Sequence, residues 1–260
     1  MADTAMTGET PGRERHGQRQ RRSVIRRCMA LAALVSVLAL GLAAPARADY
    51  DAGLEAYGKG DYAAALEEWR PLAEQGSAAA QFNLAVMYEQ GQGVPQDDAK
   101  ALKWYRRAAE QDHVPAQKAL GGKYFAGQGV PQDQAEGVKW IRIVAEKGFP
   151  DAQYNLGVAY ERGEGVKQDR AAAAIWYRKA ARQGYASAQL NLGFMHVAGR
   201  GVPRNLLTAL AYFRVAAAQG IEEARTNGDA IARHMAAKDI LTAQHMAQEC
   251  AAKDYKGCEF

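Results

Sequence analysis

The sequence predicts an all-α fold: an α-solenoid of stacked antiparallel helix pairs, wound as a right-handed superhelix. Three observations predict it. A set of marks returns every 36 residues, so that Ala80 reappears as Ala116, Ala152, Ala188 and Ala224, and Trp104 as Trp140, Trp176 and Tyr212. The glycine pair Gly91/Gly93 returns as Gly127/Gly129, Gly163/Gly165 and Gly199/Gly201, placing one reversal of the chain in every copy. Between reversals, apolar residues recur at helical spacing. A fixed period of this length signals supersecondary units that cannot bury their apolar faces alone and therefore stack.

Four full copies are expected, at 80–115, 116–151, 152–187 and 188–223. Helix A of the first runs from Ala80 to about Gln90, with Ala80, Leu84 and Tyr88 on the face toward its partner. The loop Gly91 to Asp97 reverses the chain; its glycines admit positive φ, Pro95 stiffens the return, and Asp97 is placed to cap the next helix. Helix B runs from Asp98 to about Gln111 with Ala101, Trp104, Ala108 and Ala109 inward. Alanines let the helices approach and the tryptophan is expected to fill the gap.

The ends differ. Residues 49–79 read as an N-terminal capping hairpin: Ala52 to Tyr57, a turn at Lys59-Gly60-Asp61, then Tyr62 to Gln75 with Ala65, Leu66, Trp69 and Leu72 on one face. Residues 224–260 read as a C-terminal capping hairpin. There the helix from Ala224 continues to about Met235, the glycine turn is missing, and Ile240 to Ala252 follows, with Leu241, Met246 and Ala247 expected to close the core.

Ala152, Leu156-Gly157, Tyr160, Gly163, Gly165-Val166, Asp169, Ala174, Trp176-Tyr177, Ala180-Ala181 and Gly184 together resemble the Sel-one-like repeat family, helical-hairpin relatives of the tetratricopeptide repeats. Three further copies match over Ala80 to about Gly220. His196, Tyr212, Asn205 and Asp112 depart from the pattern, and these changes weaken the fourth copy's core rather than the resemblance. What the resemblance implies is a scaffold that binds protein or peptide, with A helices lining the inner curve.

Residues 1–48 carry the marks of an export signal. Arg21, Arg22, Arg26 and Arg27 precede an apolar run from Met29 to Leu42, and Ala46-Arg47-Ala48 is a small-residue processing site. Cleavage near Ala48 is expected, giving a periplasmic or secreted chain that meets the membrane only through its leader. An uncleaved leader would make a membrane-anchored adaptor. Eight of the 33 Lys+Arg and three of the 29 Asp+Glu lie in this segment, so the rest carries 25 against 26, a net of −1. The electrostatic case for nucleic acid leaves with the leader. Cys28 leaves with it too, and the remaining pair, Cys250 and Cys258, reads as a disulfide near the end of an exported chain, contributing roughly 2 to 3 kcal/mol.

No catalytic residue, metal site or cofactor is expected. Ser77 and Ser187 both read as caps just ahead of an A helix, and neither sits in a nucleophile motif. His113, His196, His234 and His245 lack the spacing of a helical zinc pair. The Gly-x-Gly loops follow no strand and precede no Lys-Ser/Thr, so they are turns rather than phosphate cradles. An envelope enzyme acting on peptidoglycan or a β-lactam is the alternative, resting only on what some secreted relatives suggest.

Binding has better support. The A-helix positions that change from copy to copy are Phe82, Val86, Glu89; Lys118, Gly122, Phe125; Tyr154, Val158, Glu161; and Leu190, Phe194, Val197. A stripe that varies while the core repeats is where a solenoid would read a partner, or where units pack on one another. Asn83, Asn155, Asn191 and Asn227 also recur at one position, suited either to a peptide backbone or to bonds within the hairpin. The expected partner-binding set is Phe82, Asn83, Val86, Phe125, Tyr154, Asn155, Val158, Leu190, Asn191 and Phe194.

Overall fold

In the computed structural model, residues 48–260 are described; the expected leader, with Arg21, Arg22, Arg26, Arg27 and Cys28, lies outside them. Among the described residues there are twelve helices and no strand. In chain order they are α1 (Tyr50–Gly58), α2 (Tyr62–Glu74), α3 (Ala78–Gln90), α4 (Asp98–Glu110), α5 (Val114–Ala126), α6 (Gln134–Glu146), α7 (Pro150–Arg162), α8 (Arg170–Ala181), α9 (Ala186–Ala198), α10 (Leu206–Ala218), α11 (Glu222–Ala232) and α12 (Ala237–Ala251). Each helix from α1 to α10 packs on the next, which makes an all-α solenoid.

The turns between A and B helices are built alike. Gly91 ends α3 in the left-handed conformation at φ 67°, and Asp97, its backbone N–H donating to Tyr88 O at 2.9 Å, then accepts the Lys100 N–H at 2.9 Å as the cap of α4. Asp133, Asp169 and Asn205 repeat that cap, so asparagine serves the fourth copy as aspartate serves the others. The A helices begin two residues earlier than the sequence suggests. Ser77 does cap α3, through the Ala80 N–H at 3.4 Å, but Ser187 lies inside α9, which starts at Ala186 with Tyr185 at the capping position and no side-chain bond. Its expected capping role is therefore corrected: Ser77 and Ser187 do not occupy equivalent positions.

Packing also reassigns the tryptophans. Trp104, Trp140 and Trp176 bridge two units rather than filling one hairpin alone. Each is partly buried against a cluster shared by the preceding B helix and its own A helix, that of Trp69 and Leu84 for Trp104, of Tyr105 and Leu120 for Trp140, and of Val138 and Leu156 for Trp176. The side chain under the hairpin's own A helix is the next residue: Tyr105, Ile141, Tyr177 or Phe213. Gly157 shows how closely it sits, because a Cβ there would lie 2.6 Å from the Tyr177 ring.

A second repeating device is polar and buried. The Nε2 groups of Gln81, Gln117, Gln153 and Gln189 donate to the carbonyls of Ala73, Ala109, Ala145 and Ala181 at 2.9–3.2 Å. Those carbonyls close the preceding B helix, and the glutamine adds a second donor to the turn N–H that each accepts, from Gly76, Asp112, Gly148 or Gly184 at 3.0–3.1 Å. The glutamine Oε1 atoms in turn accept from Gln111, Lys147, Gln183 and Gln219, in the last turn of their own units. One buried side chain per unit thus ties three helices together.

At the C-terminal end α11 and α12 both pack on α10. Ala243, Ala247 and Cys250 are the buried face of α12, with Met246 partly buried; Leu241, expected in the core, is 66% exposed. It lies two residues from Ala243, which on a helix is the wrong side. Cys250 and Cys258 are joined, with Cα atoms 5.4 Å apart, as a candidate disulfide. Beyond it Gly257 N–H donates to Arg182 O at 2.7 Å and Phe260 packs edge-on against Tyr212 at 4.8 Å. Replacing both cysteines with serine is expected to lower stability by roughly 2–3 kcal/mol in urea unfolding without reductant, through a freed tail. Two titratable thiols in the denatured, unreduced wild-type chain would refute the bridge.

Candidate partner-binding face

Most of the expected binding set is structural. Phe82 stacks on Tyr105 at 5.6 Å and on His113 at 5.1 Å; Tyr154 lies between Tyr177 and Tyr185 at 5.7 and 5.2 Å; Phe194 meets Phe213 at 5.2 Å. Leu190 is buried beside Phe194, and Val86 is half-buried in the first repeat's core. Substituting these rings removes packing as well as surface, so their exchange for alanine does not report on binding alone.

The asparagines do not form one row. Asn83 donates to the Tyr50 hydroxyl at 3.1 Å, tying α3 to the N-terminal hairpin, and Asn227 donates to Glu223 O within its own helix at 2.8 Å. Asn191 is half-buried, whereas Asn155 is exposed. Position-specific pairing explains the rest of the stripe. Where helix B carries tyrosine, helix A supplies glutamate: the Tyr105 hydroxyl donates to Glu89 and that of Tyr177 to Glu161 at 2.6 Å, while Lys123 also binds Glu89. Burial and these carboxylates push both tyrosine hydroxyls above the usual phenol range. Where helix B carries Ile141 or Phe213, with no hydroxyl, the same A-helix position is Phe125 or Val197.

Repeat 2 departs from its neighbours, and there the face opens. Lys118 stands where the other copies have Phe82, Tyr154 and Leu190; Gly122 where they have Val86, Val158 and Phe194; Ile141 where they have Tyr105, Tyr177 and Phe213. With those side chains missing, a groove of about 310 Å³ lies between α5 and α7 with α6 as its floor. Phe125, Val158, Ile141 and Val144 make it apolar, and Asn155 stands exposed among its lining residues. The Lys118 Nζ and Asp151 Oδ2 atoms, 2.6 Å apart, pair between α5 and α7. So of the expected set the structure brings together Phe125, Asn155 and Val158 here. Ile141 and Val144 were missed because they belong to a B helix, though aligning the four copies against one another shows the small residues of repeat 2.

Two histidines, His113 and His196, carry a pH signal. Among the described residues no group of three His, Cys, Asp or Glu side chains is placed to hold a cation. His113 is lowered by burial, its Nδ1 buried without a hydrogen-bond partner. Burial likewise lowers His196, which stacks on Tyr212 and whose Nδ1–H donates to Pro203 O at 3.1 Å. A depressed folded value means the unfolded chain binds the proton more readily, so stability is full above about pH 6.5 and lost as pH falls through the folded values. Thermal melts are expected to drop between pH 7 and pH 5, and H113F/H196Y, which installs the aromatic side chains of equivalent positions, to flatten that drop.

The family model for the Sel1 repeat matches residues 78–113, 114–149, 150–185 and 186–221, over half the chain. The chain belongs to the Sel1 repeat family. Its boundaries fall at the ends of the helix pairs, with every copy starting at or beside the first residue of an A helix. Among solved structures, the chain is similar to a Sel1 repeat protein from Oxalobacter formigenes, at 32% identity over 68% of this chain and 72% of that one, with TM-score 0.63. It is also similar to a protective antigen of uropathogenic Escherichia coli displaying the same repeat fold, at 44% identity and TM-score 0.57 over 61% of this chain and 34% of that one. The chain thus spans about a third of the E. coli protein's length. No curated protein matches. Sel1 repeats are a scaffold type that mediates contact between proteins, and this chain has that scaffold.

Proposed function

We propose that this Sel1 repeat protein is an exported scaffold that holds a segment of another protein along its row of A helices, in the periplasm or outside the cell, with no catalysis of its own. The groove at repeat 2 carries the reading, since it lies on that row and its apolar walls are uncovered by any described part of the chain. Export rests on the basic, apolar and small-residue order of 1–48. Among the described residues no helix is long and apolar enough to cross a membrane.

A photo-crosslinking residue at Asn155, on the groove, is expected to capture a discrete envelope protein, while one at Ile175, exposed on a B helix, captures none. Equal capture from both positions would remove the A-helix row as the binding face. Sequencing the N-terminus of the protein recovered from cells is expected to start at Asp49. An intact leader would make the protein a membrane-anchored adaptor instead.

A further inference from the structure

Three of the four repeats fill the space between their A and B helices with a ring pair: Phe82 on Tyr105, Tyr154 on Tyr177, Phe194 on Phe213, at centroid distances of 5.2–5.7 Å. Repeat 2 has neither ring. Its Lys118 turns to Asp151 and lies 4.7 Å over the Phe149 ring, and a Cβ added at Gly122 would meet nothing within 4 Å. The groove is therefore an aromatic position of the repeat with its own side chains removed.

We propose that this groove takes an uncharged aromatic side chain of an extended partner segment. The inference rests on the scaffold reading above and names what the scaffold grips.

Charge and size both select the occupant. Lys118 and Asp151, the charged side chains in the lining, neutralise each other at 2.6 Å, so an ionised guest would lose hydration and find no free counter-charge. An uncharged ring loses nothing there and gains Phe125, Ile141 and Val158 as neighbours. A dry cavity of about 150 Å³ accepts benzene, so about 310 Å³ admits a ring together with adjoining backbone. The Asn155 amide offers one donor group and one acceptor to that backbone.

The test uses N-acetyl-phenylalaninamide as the probe, with N-acetyl-alaninamide and N-acetyl-glutamate as controls, titrated into the purified protein and followed by amide NMR. Saturable shifts are expected at Gly122, Phe125 and Asn155 for the phenyl probe, with Kd on the order of 1 mM for a ligand so small, and none for the controls. Gly122→Leu places the chain's own side chain in the open space at a helical position, where leucine is favoured over glycine. It is expected to weaken the phenyl probe at least tenfold while leaving the melting temperature equal or higher. No saturable shift, equal shifts with the glutamate control, or binding unchanged by Gly122→Leu overturns the proposal.

A protomer–dimer equilibrium that Gly122→Leu abolishes would assign the groove to a second copy and overturn it too. The two readings fail separately. Crosslinking from Asn155 that survives Gly122→Leu sinks the aromatic slot and spares the scaffold, whereas phenyl binding without any captured partner spares the slot and sinks the scaffold.

Discussion

Gly201→Ala is expected to cost about 3–5 kcal/mol and to loosen the fourth repeat from the third. Two causes add. Gly201 has φ 72°, where an L side chain is strained, and a Cβ built on it would lie 2.2 Å from Arg170 O and 2.4 Å from the Arg170 carbonyl carbon, at the first residue of α8. Backbone cannot yield as the end of a flexible side chain can. The turn of each repeat rests on the start of the preceding B helix: Gly93 on Tyr62, Gly129 on Asp98, Gly165 on Gln134, Gly201 on Arg170.

Gly220→Ala separates the two causes. Its φ is 91°, but nothing lies within 4 Å of an added Cβ, and the equivalent position in the first repeat already carries Asp112 at φ 64°. Urea unfolding followed by circular dichroism is expected to show a loss of about 1–2 kcal/mol for Gly220→Ala, the strain alone, and a clearly larger one for Gly201→Ala. Equal losses would mean that the turn does not set the spacing between repeats.

Gln153→Leu is expected to cost about 2–3 kcal/mol although leucine is more apolar and near in size. Gln153 is 5% exposed; it donates to Ala145 O at 3.1 Å and accepts from Gln183 Nε2 at 2.9 Å. Leucine takes the side-chain donor from the Ala145 carbonyl, leaving it the Gly148 N–H at 3.0 Å, and removes one of two acceptors of the Gln183 amide, which keeps Gly148 O at 2.8 Å. Gln183→Leu is the milder change, about 1 kcal/mol, because Gln183 is exposed and Gln153 keeps its bond to Ala145. Amide exchange is expected to speed up on both sides of the α6–α7 junction in Gln153→Leu and only near α8 in Gln183→Leu. A Gln153→Leu protein as stable as wild type would show that the buried glutamines are passengers of the repeat.

Helix existence and pairing were legible because every copy restates them: apolar spacing, a glycine turn and an Asp or Asn cap occur together four times, and local rules suffice to read each one. What resists such reading is which unit a side chain serves. Trp104 and Tyr105 are neighbours in sequence with the same helical prospects, yet one reaches across to the preceding unit's cluster and the other lies under its own A helix. The buried glutamines, too, bond carbonyls eight residues back and amides 30 residues on, across turns whose geometry no local pattern states. Of the binding face, the stripe was visible but not its division into core rings and open surface. Phe82, Tyr154 and Phe194 differ from Asn155 in what lies behind them, not in periodicity.

By itself, then, the sequence determined that this chain is a stack of helical hairpins 36 residues apart, where each hairpin begins and reverses, and that the stripe along the A helices is where copies differ. Only tertiary structure decided the distance between hairpins and the place where the face is hollow. Both depend on the volumes of atoms meeting from different units: a bare Cα against a neighbour's carbonyl at Gly201, and missing bulk at Lys118, Gly122 and Ile141, where the other repeats carry rings or branched side chains. Periodicity counts positions along the chain, whereas contact between units is set by the size of what fills the space between them.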